Sequence, residues 1–249
     1  MPYACMARRG FGNPDDGAIP KRKERDVTFR NEWKHEINAA DRAVLRARLR
    51  VVATPEAHGE NGVYALRSLY FDDPWDSALR EKTDGVDRRE KFRIRYYNDD
   101  TSFIRLEKKS KINGLCRKEG AILTAGEVAA LLAGRTDFMH TDGRPLVREL
   151  SCKMRDRGLR PRVVVAYTRE AYCFPAGNVR VTMDYHIRAG LSPAAFLDPA
   201  APTLPVAPGK IILEVKWDAF LPTVIRDAVY LPGRRASAFS KYAACRIYD

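Results

Sequence analysis

The stretch RREKFRIRYYNDDTSFIRLEKKSKINGLCRK, residues 88–118, carries eleven Lys and Arg against four acids, Glu90, Asp99, Asp100 and Glu107. In a strand, residues two apart share a face. Arg89, Lys91, Arg93 and Arg95 therefore line one side, with Phe92, Ile94 and Tyr96 on the other. Asn98-Asp99-Asp100-Thr101 is a hairpin signal, and beyond it Arg105, Glu107, Lys109 and Lys111 repeat the alternation opposite Ile104 and Leu106. Lys108 falls out of that lining, toward solvent or a helix. Two strands joined by a tight turn, each cationic on one face and apolar on the other, form the seed of an antiparallel sheet.

The same period-two pattern recurs along the chain. Tyr167 and Arg169 are two apart; Arg180, Thr182 and Asp184 stand opposite Val181 and Met183; Glu214 and Lys216 stand opposite Leu213 and Val215. Strands are expected over 29–37, 63–71, 88–97, 102–111, 115–123, 161–172, 179–184 and 211–217, with a turn at Asn113-Gly114. Asn38, with Asp41 three residues on, caps a helix to about Val52. Further helices are expected over 74–81, 126–133, 145–157 and 222–230, and a Pro-rich loop over 193–208. Residues 1–27 mix Gly, Pro and charges without periodicity and read as a flexible tail before one domain, 28–249. Strands with interspersed helices give an α+β domain built round an antiparallel sheet or barrel.

Composition narrows the function. The 249 residues hold 44 Lys+Arg against 32 Asp+Glu, a net charge of +12, which implies a polyanionic partner. No segment approaches the ~18 apolar residues of a membrane span, and the N-terminus has no secretory core. Five scattered cysteines without a CxxC pair point to reduced thiols and a cytoplasmic setting. Four separated histidines without HxxxH spacing count against a His-based metal site, and neither GxGxxG nor GxxxxGK[ST] is present. His35 and Trp33, Trp217, Tyr70 and Phe71 read as structural, the tryptophans packed under helices.

One charged strand face is an ordinary solvated surface. Several adjacent strands with like charges opposite one another repel unless polyanions intervene. A closed barrel with a polar lumen and an apolar, helix-covered outside fits this inversion. Only Glu32, Glu107, Asp184 and Glu214 break the basic lining. Cations with a few carboxylates suit a metal–triphosphate complex, the cations holding phosphate oxygens and the carboxylates a divalent ion.

Glu32-x-Lys34, Ser68-Leu69-Tyr70-Phe71-Asp72, Arg93-x-Arg95, Glu107-x-Lys109, Tyr167-x-Arg169, Arg180-x-Thr182-x-Asp184, Glu214-x-Lys216 and Phe239-Ser240-Lys241-Tyr242 occur in this order. Each pair is weak alone. The ordered set, spanning about residues 29–245, resembles the VTC domain, the catalytic domain of polyphosphate polymerases within the triphosphate tunnel metalloenzymes.

The resemblance implies an eight-stranded antiparallel tunnel jacketed by helices. In it the γ-phosphate of ATP passes to a growing polyphosphate chain, with Mn²⁺ or Mg²⁺ and with ATP, pyrophosphate and polyphosphate as partners. Lys34, Arg93, Arg95, Lys109, Arg169, Arg180 and Lys241 match its catalytic phosphate-holding positions. Arg105, Lys118, Tyr167, Lys216 and Ser240 are assigned to substrate phosphates, Glu214 to the metal, and Glu107 and Asp184 to its support. Ala238 stands where the family usually has Lys, with Arg234 or Arg235 as candidate replacements, and Gly120 stands where Arg is expected. Two other readings stay open: a tunnel-type triphosphatase or nucleotide cyclase, and a non-enzymatic binder of nucleic acid or polyphosphate. Carboxylates on the basic face count against nucleic acid.

Overall fold

A computed structural model describes residues 30–112 and 115–248. The chain forms β1 (Asn31–Ile37), α1 (Ala39–Val52), β2 (Thr54–Pro55), β3 (Val63–Asp72), α2 (Ser77–Thr83), β4 (Arg89–Tyr97), β5 (Asp100–Ile112) and β6 (Leu115–Leu123). It continues with α3 (Ala125–Leu132), α4 (Pro145–Arg157), β7 (Arg160–Phe174), β8 (Val179–Gly190), β9 (Thr203–Pro205), β10 (Ile211–Trp217), α5 (Thr223–Val229) and α6 (Lys241–Cys245). The expected tail and the Asn113-Gly114 turn lie outside the described residues.

The hairpin at the centre of the sequence argument forms as its residues dictate. Asn98 and Asp99 both take positive φ (49° and 58°), the pair of left-handed residues a tight two-residue turn needs. The turn sets β4 against β5 so that Arg93 faces Glu107 and Arg95 faces Arg105. All ladders are antiparallel, in the order β1-β10-β8-β7-β3-β4-β5-β6, with β2 added on β7 and β9 on β8. The expected closed eight-stranded barrel is corrected on two points. Among the described residues the sheet has ten strands and no ladder joins β1 to β6, so it is barrel-like but open. Local alternation fixes each strand's faces, whereas closure depends on how sheet twist accumulates.

Helices cover the outer face in two layers. Asn38 and Asp41 form a capping box for α1, which buries Leu45 and Leu49 with α5 against Val181, Met183, Leu213 and Val215. α3 and α4 cover Phe92, Ile94, Ile104 and Leu106 with Val128, Val147 and Leu150. Each such fully buried side chain contributes about 1.5–3 kcal/mol. Lys108 faces this second layer, paired with Glu149 of α4 and with Glu90. Trp33 departs from expectation: it is 41% exposed and meets Trp217 edge-on at 4.9 Å instead of lying under a helix.

The last segment covers the free edge of β1 and then turns inward. The Ser237 amide donates to the Lys34 carbonyl (2.8 Å), and Ala236 bridges His35. α6 then packs on the inner face, putting Tyr242 and Cys245 among Leu66, Val163, Val165 and Ile212. The inner face is therefore part apolar, where a uniformly polar lumen was expected. Asp72, fully buried, accepts the amides of Ala78 (2.8 Å) and Leu79 (3.2 Å) in α2 and the Tyr242 hydroxyl of α6. One carboxylate thus anchors both helices.

Candidate active site on the inner face of the sheet

Register assembles the site. Across β3, β4 and β5, Ser68, Arg95 and Arg105 form one row, and Tyr70, Arg93 and Glu107 the next. Across β7, β8, β10 and β1, Arg169 faces Asp184, Thr182 faces Glu214 and Glu214 faces Lys34. All of these side chains point away from the helix layers.

The first group surrounds Glu107, which is 2% exposed. Arg93 donates to it through Nε (2.7 Å) and Nη2 (2.6 Å), Lys118 approaches at 2.7 Å and Arg95 at 3.9 Å. Arg93 also donates to the Tyr70 hydroxyl (3.0 Å); Arg95 donates to Ser68 (3.1 Å) and to the Tyr167 hydroxyl (3.2 Å). Burial works against ionising Glu107, but the Arg93, Arg95 and Lys118 charges outweigh it and hold the carboxyl well below the usual range.

The second group holds two acids. Asp184 has no exposure and takes both forks of Arg169 (2.6 and 2.8 Å) and the Lys241 ammonium (2.5 Å). Glu214 takes Lys34 (2.9 Å), Lys216 (2.9 Å) and Lys241 (3.7 Å). Glu32 lies beside the same lysines, 3.4 Å from Lys34 and 4.0 Å from Lys216. Burial opposes the Glu214 charge, yet Lys216, Lys241, Lys34 and Arg169 keep its carboxyl far below the ordinary value. A buried charge is tolerable only when paired, and here every buried acid meets at least two cations.

Other cations have no carboxylate within ion-pair distance among the described residues: Lys91, Arg105 and Lys109. Lys91 lies 4.7 Å from the Tyr242 ring centre. Burial pushes its ammonium down to about 8, and Lys82 and Arg89 add to the effect. Lys91 faces Lys109 and Lys109 faces Lys118, so like charges stand opposite across three strands. Gly120 explains one departure from the family pattern: a Cβ there would sit 3.2 Å from the Arg105 guanidinium, so Arg105 lies across the space an arginine at 120 would need. Burial lowers the Lys82 ammonium on α2, and the Arg89, Lys34 and Lys109 charges add to the effect.

Other expected residues fall apart from these groups. Arg180 sits toward one end of the sheet, donating to Glu56 (2.7 Å) and Tyr64 (2.8 Å). Ser240 caps α6, its oxygen accepting from the Ala243 amide (3.3 Å). Arg234 pairs with Asp41 of α1 (2.6 Å), outside the inner face, and so does not replace the closing charge missing at Ala238. Lys91 and Tyr70 were missed as site residues, although Lys91 belonged to the basic alternation all along. Asp184 and Glu214 share Lys241, while Glu107 has its own set of cations. Among the described residues no three His, Cys or acid side chains form a group able to hold a metal. The donor set does not suit an all-protein cage; a divalent ion here would need most of its oxygen ligands from phosphates and water. A cavity of about 700 Å³ lies elsewhere, between β3, β7, β8 and residues 199–210.

The inner face of the barrel-like antiparallel sheet thus gathers arginines and lysines around the buried carboxylates Glu107, Asp184 and Glu214. The chain belongs to the VTC domain family, whose model matches residues 29–247. No curated protein matches the sequence. Among solved structures, the chain is similar to PH1012 protein from Pyrococcus horikoshii (12% identity, 86% of this chain and 98% of that one, TM-score 0.47). It is also similar to a candidate adenylate cyclase from Bacillus halodurans (12% identity, 76% and 80%, TM-score 0.45). A conserved hypothetical protein from Pyrococcus furiosus shares 10% identity over 80% and 85% of the two chains, with a TM-score of 0.40. The family assignment rests on the sequence match alone. No described helix is long and apolar enough to cross a membrane.

Proposed function

We propose that the protein is an ATP-dependent polyphosphate polymerase acting on the inner face of its sheet. One observation carries this reading: buried Glu107, Asp184 and Glu214 are each outnumbered by cations, and Lys91, Arg105 and Lys109 beside them have no carboxylate at ion-pair distance among the described residues. Such a face is preorganised for several phosphates in a row, because its dipoles and charges are already fixed before substrate arrives. VTC membership points to polyphosphate as the polyanion.

In the transfer, the bond from the γ-phosphorus to the β,γ-bridging oxygen breaks, a terminal phosphate oxygen of the acceptor bonds to that phosphorus, and ADP leaves. Phosphoryl transfer asks the protein mainly for positioning and charge neutralisation. Arg93 and Arg95, held in place by Glu107, Ser68 and the Tyr70 and Tyr167 hydroxyls, grip non-bridging oxygens. Arg169 and Lys241, fixed by Asp184, do the same from the opposite wall. Glu214, with Glu32 beside it, would hold a divalent ion, which neutralises phosphate charge when bound. Lys91, Lys109 and Arg105 provide a cationic track for the remaining chain.

Incubation with ATP and Mn²⁺ or Mg²⁺ followed by gel electrophoresis tests the reading. Long polyphosphate is expected. Free phosphate alone would turn the assignment to a tunnel-type triphosphatase, and cyclic nucleotide to a cyclase. No turnover with tight, salt-sensitive RNA binding would make the protein a binder.

A further inference from the structure

The cavity of about 700 Å³ is bordered by α1 at Arg42 and by residues 199–210, and its floor is the outer face of β3, β7 and β8. Arg67 on β3 faces Ala166 on β7, and Ala166 faces Arg188 on β8. Two arginine stems thus stand on either side of one methyl group, roughly 10 Å apart at the backbone, two strand spacings. Arg188 reaches this face because of a bulge. His186, at φ +50°, is the extra residue where the β7–β8 register shifts. With unbroken alternation Arg188 would share the inner face with Asp184; one inserted residue sends it to the other side.

Arg67 is buried, whereas Arg188 is exposed. Arg67 is only 6% exposed; it donates to the carbonyls of Ala195 (3.2 Å) and Pro199 (3.3 Å), and its Nε is buried without a partner. Arg188 is held by Thr203, through Nε to Oγ1 and Nη2 to the carbonyl, both at 2.6 Å. Both are without a carboxylate at ion-pair distance among the described residues. Arg42 adds a third guanidinium, sharing Glu170 with Arg46 and lying 3.6 Å over the Tyr185 ring. Among the described residues the one acid on the cavity wall is Asp99, an exposed turn residue. A buried, acid-free guanidinium is costly unless an anion meets it.

We infer that this cavity is a second anion site, separate from the inner face, and takes a small phosphate-bearing molecule. Guanidinium forks match phosphate and carboxylate oxygens in pairs. A phosphate monoester or pyrophosphate has enough oxygens and charge to engage Arg67 and Arg188 together, whereas one carboxylate engages one fork. The volume lies in the usual range for small ligands, and Tyr185 and Val206 supply an apolar wall.

Arginine-selective modification of the full chain with phenylglyoxal, mapped by mass spectrometry, tests this with pyrophosphate as probe and citrate as the carboxylate comparison. Pyrophosphate is expected to slow modification of Arg188 about tenfold. Ala166→Leu, which fills the space between the guanidiniums and keeps both, should abolish that protection, as should Arg67→Met. A melting curve confirms that Ala166→Leu is folded, so the test does not depend on Arg67→Met folding. Arg93→Gln, on the inner face, should leave the protection intact, which separates this site from the proposed polymerase site whatever the chain's activity. Absence of protection in the wild type, equal protection in Ala166→Leu, its loss in Arg93→Gln, or protection by citrate but not pyrophosphate would each overturn the inference.

Discussion

Replacing Lys241 with Met keeps the length of the side chain and removes its charge. Lys241 is 12% exposed and joins Asp184 (2.5 Å) to Glu214 (3.7 Å), so its loss leaves two buried acids short of a cation. Removing one partner of a buried pair costs about 3–5 kcal/mol. Asp184 keeps both forks of Arg169 and Glu214 keeps Lys34 and Lys216, which places Lys241→Met at the lower end, about 3 kcal/mol. For a chain of this size that lowers the melting temperature by about 6–12 °C. Urea unfolding should show an earlier midpoint at unchanged slope. The same ammonium is assigned to the transferred phosphate, so kcat/KM for ATP should also fall by about two to three orders of magnitude, as when one preorganised donor is lost. An unchanged urea midpoint would refute the ion-pair account. A shifted midpoint with wild-type turnover would leave Lys241 a structural residue and remove it from the site.

Glu214→Gln keeps shape and removes the carboxylate: activity should collapse while metal-free triphosphate binding, followed by calorimetry, holds or tightens. Unchanged Mn²⁺ dependence would remove Glu214 as the metal ligand. Lys91, with its ammonium held down at about 8, is charged below that pH and neutral above it. Triphosphate affinity should therefore fall as pH rises through about 8, binding should take up a proton near that pH, and Lys91→Met should erase the step. The folding contribution has the opposite sense: a depressed lysine disfavours the folded state below about 8, so its penalty is relieved as pH rises toward 10.5. Asp72→Asn should cost about 3 kcal/mol or more by urea unfolding, since a buried acceptor of two α2 amides, Tyr242 and Arg246 is replaced by a poorer one.

Much of the sheet is legible locally. Arg89-x-Lys91-x-Arg93-x-Arg95 against Phe92, Ile94 and Tyr96 fixes both faces of β4, and Asn98-Asp99 fixes the turn into β5. The capping box at Asn38 starts α1, and Pro145 opens α4 where expected. What escaped depends on partners distant in sequence. α6 has five residues, too few for a periodicity, and is held by Tyr242 reaching Asp72, 170 positions earlier. β9 lies inside the Pro-rich stretch because β8 runs on past Asp184 and offers it an edge. The bulge at His186 redirects Arg188, and alternation counted from Asp184 gives the wrong face. Basic and acidic residues of the site were visible as a pattern, but which cation holds which carboxylate follows from register between strands. That register sets Lys91 opposite Lys109, with no carboxylate at ion-pair distance among the described residues, and gives Asp184 two cations, and neither outcome has a local signal.

Joining phosphates to one another is the activity proposed for the inner face. ³¹P NMR of the protein turning over ATP with a divalent ion and pyrophosphate measures this directly. An internal phosphoanhydride resonance growing in step with ADP, with little orthophosphate, is expected. ADP accompanied by an equal amount of orthophosphate, and no internal resonance, would contradict it.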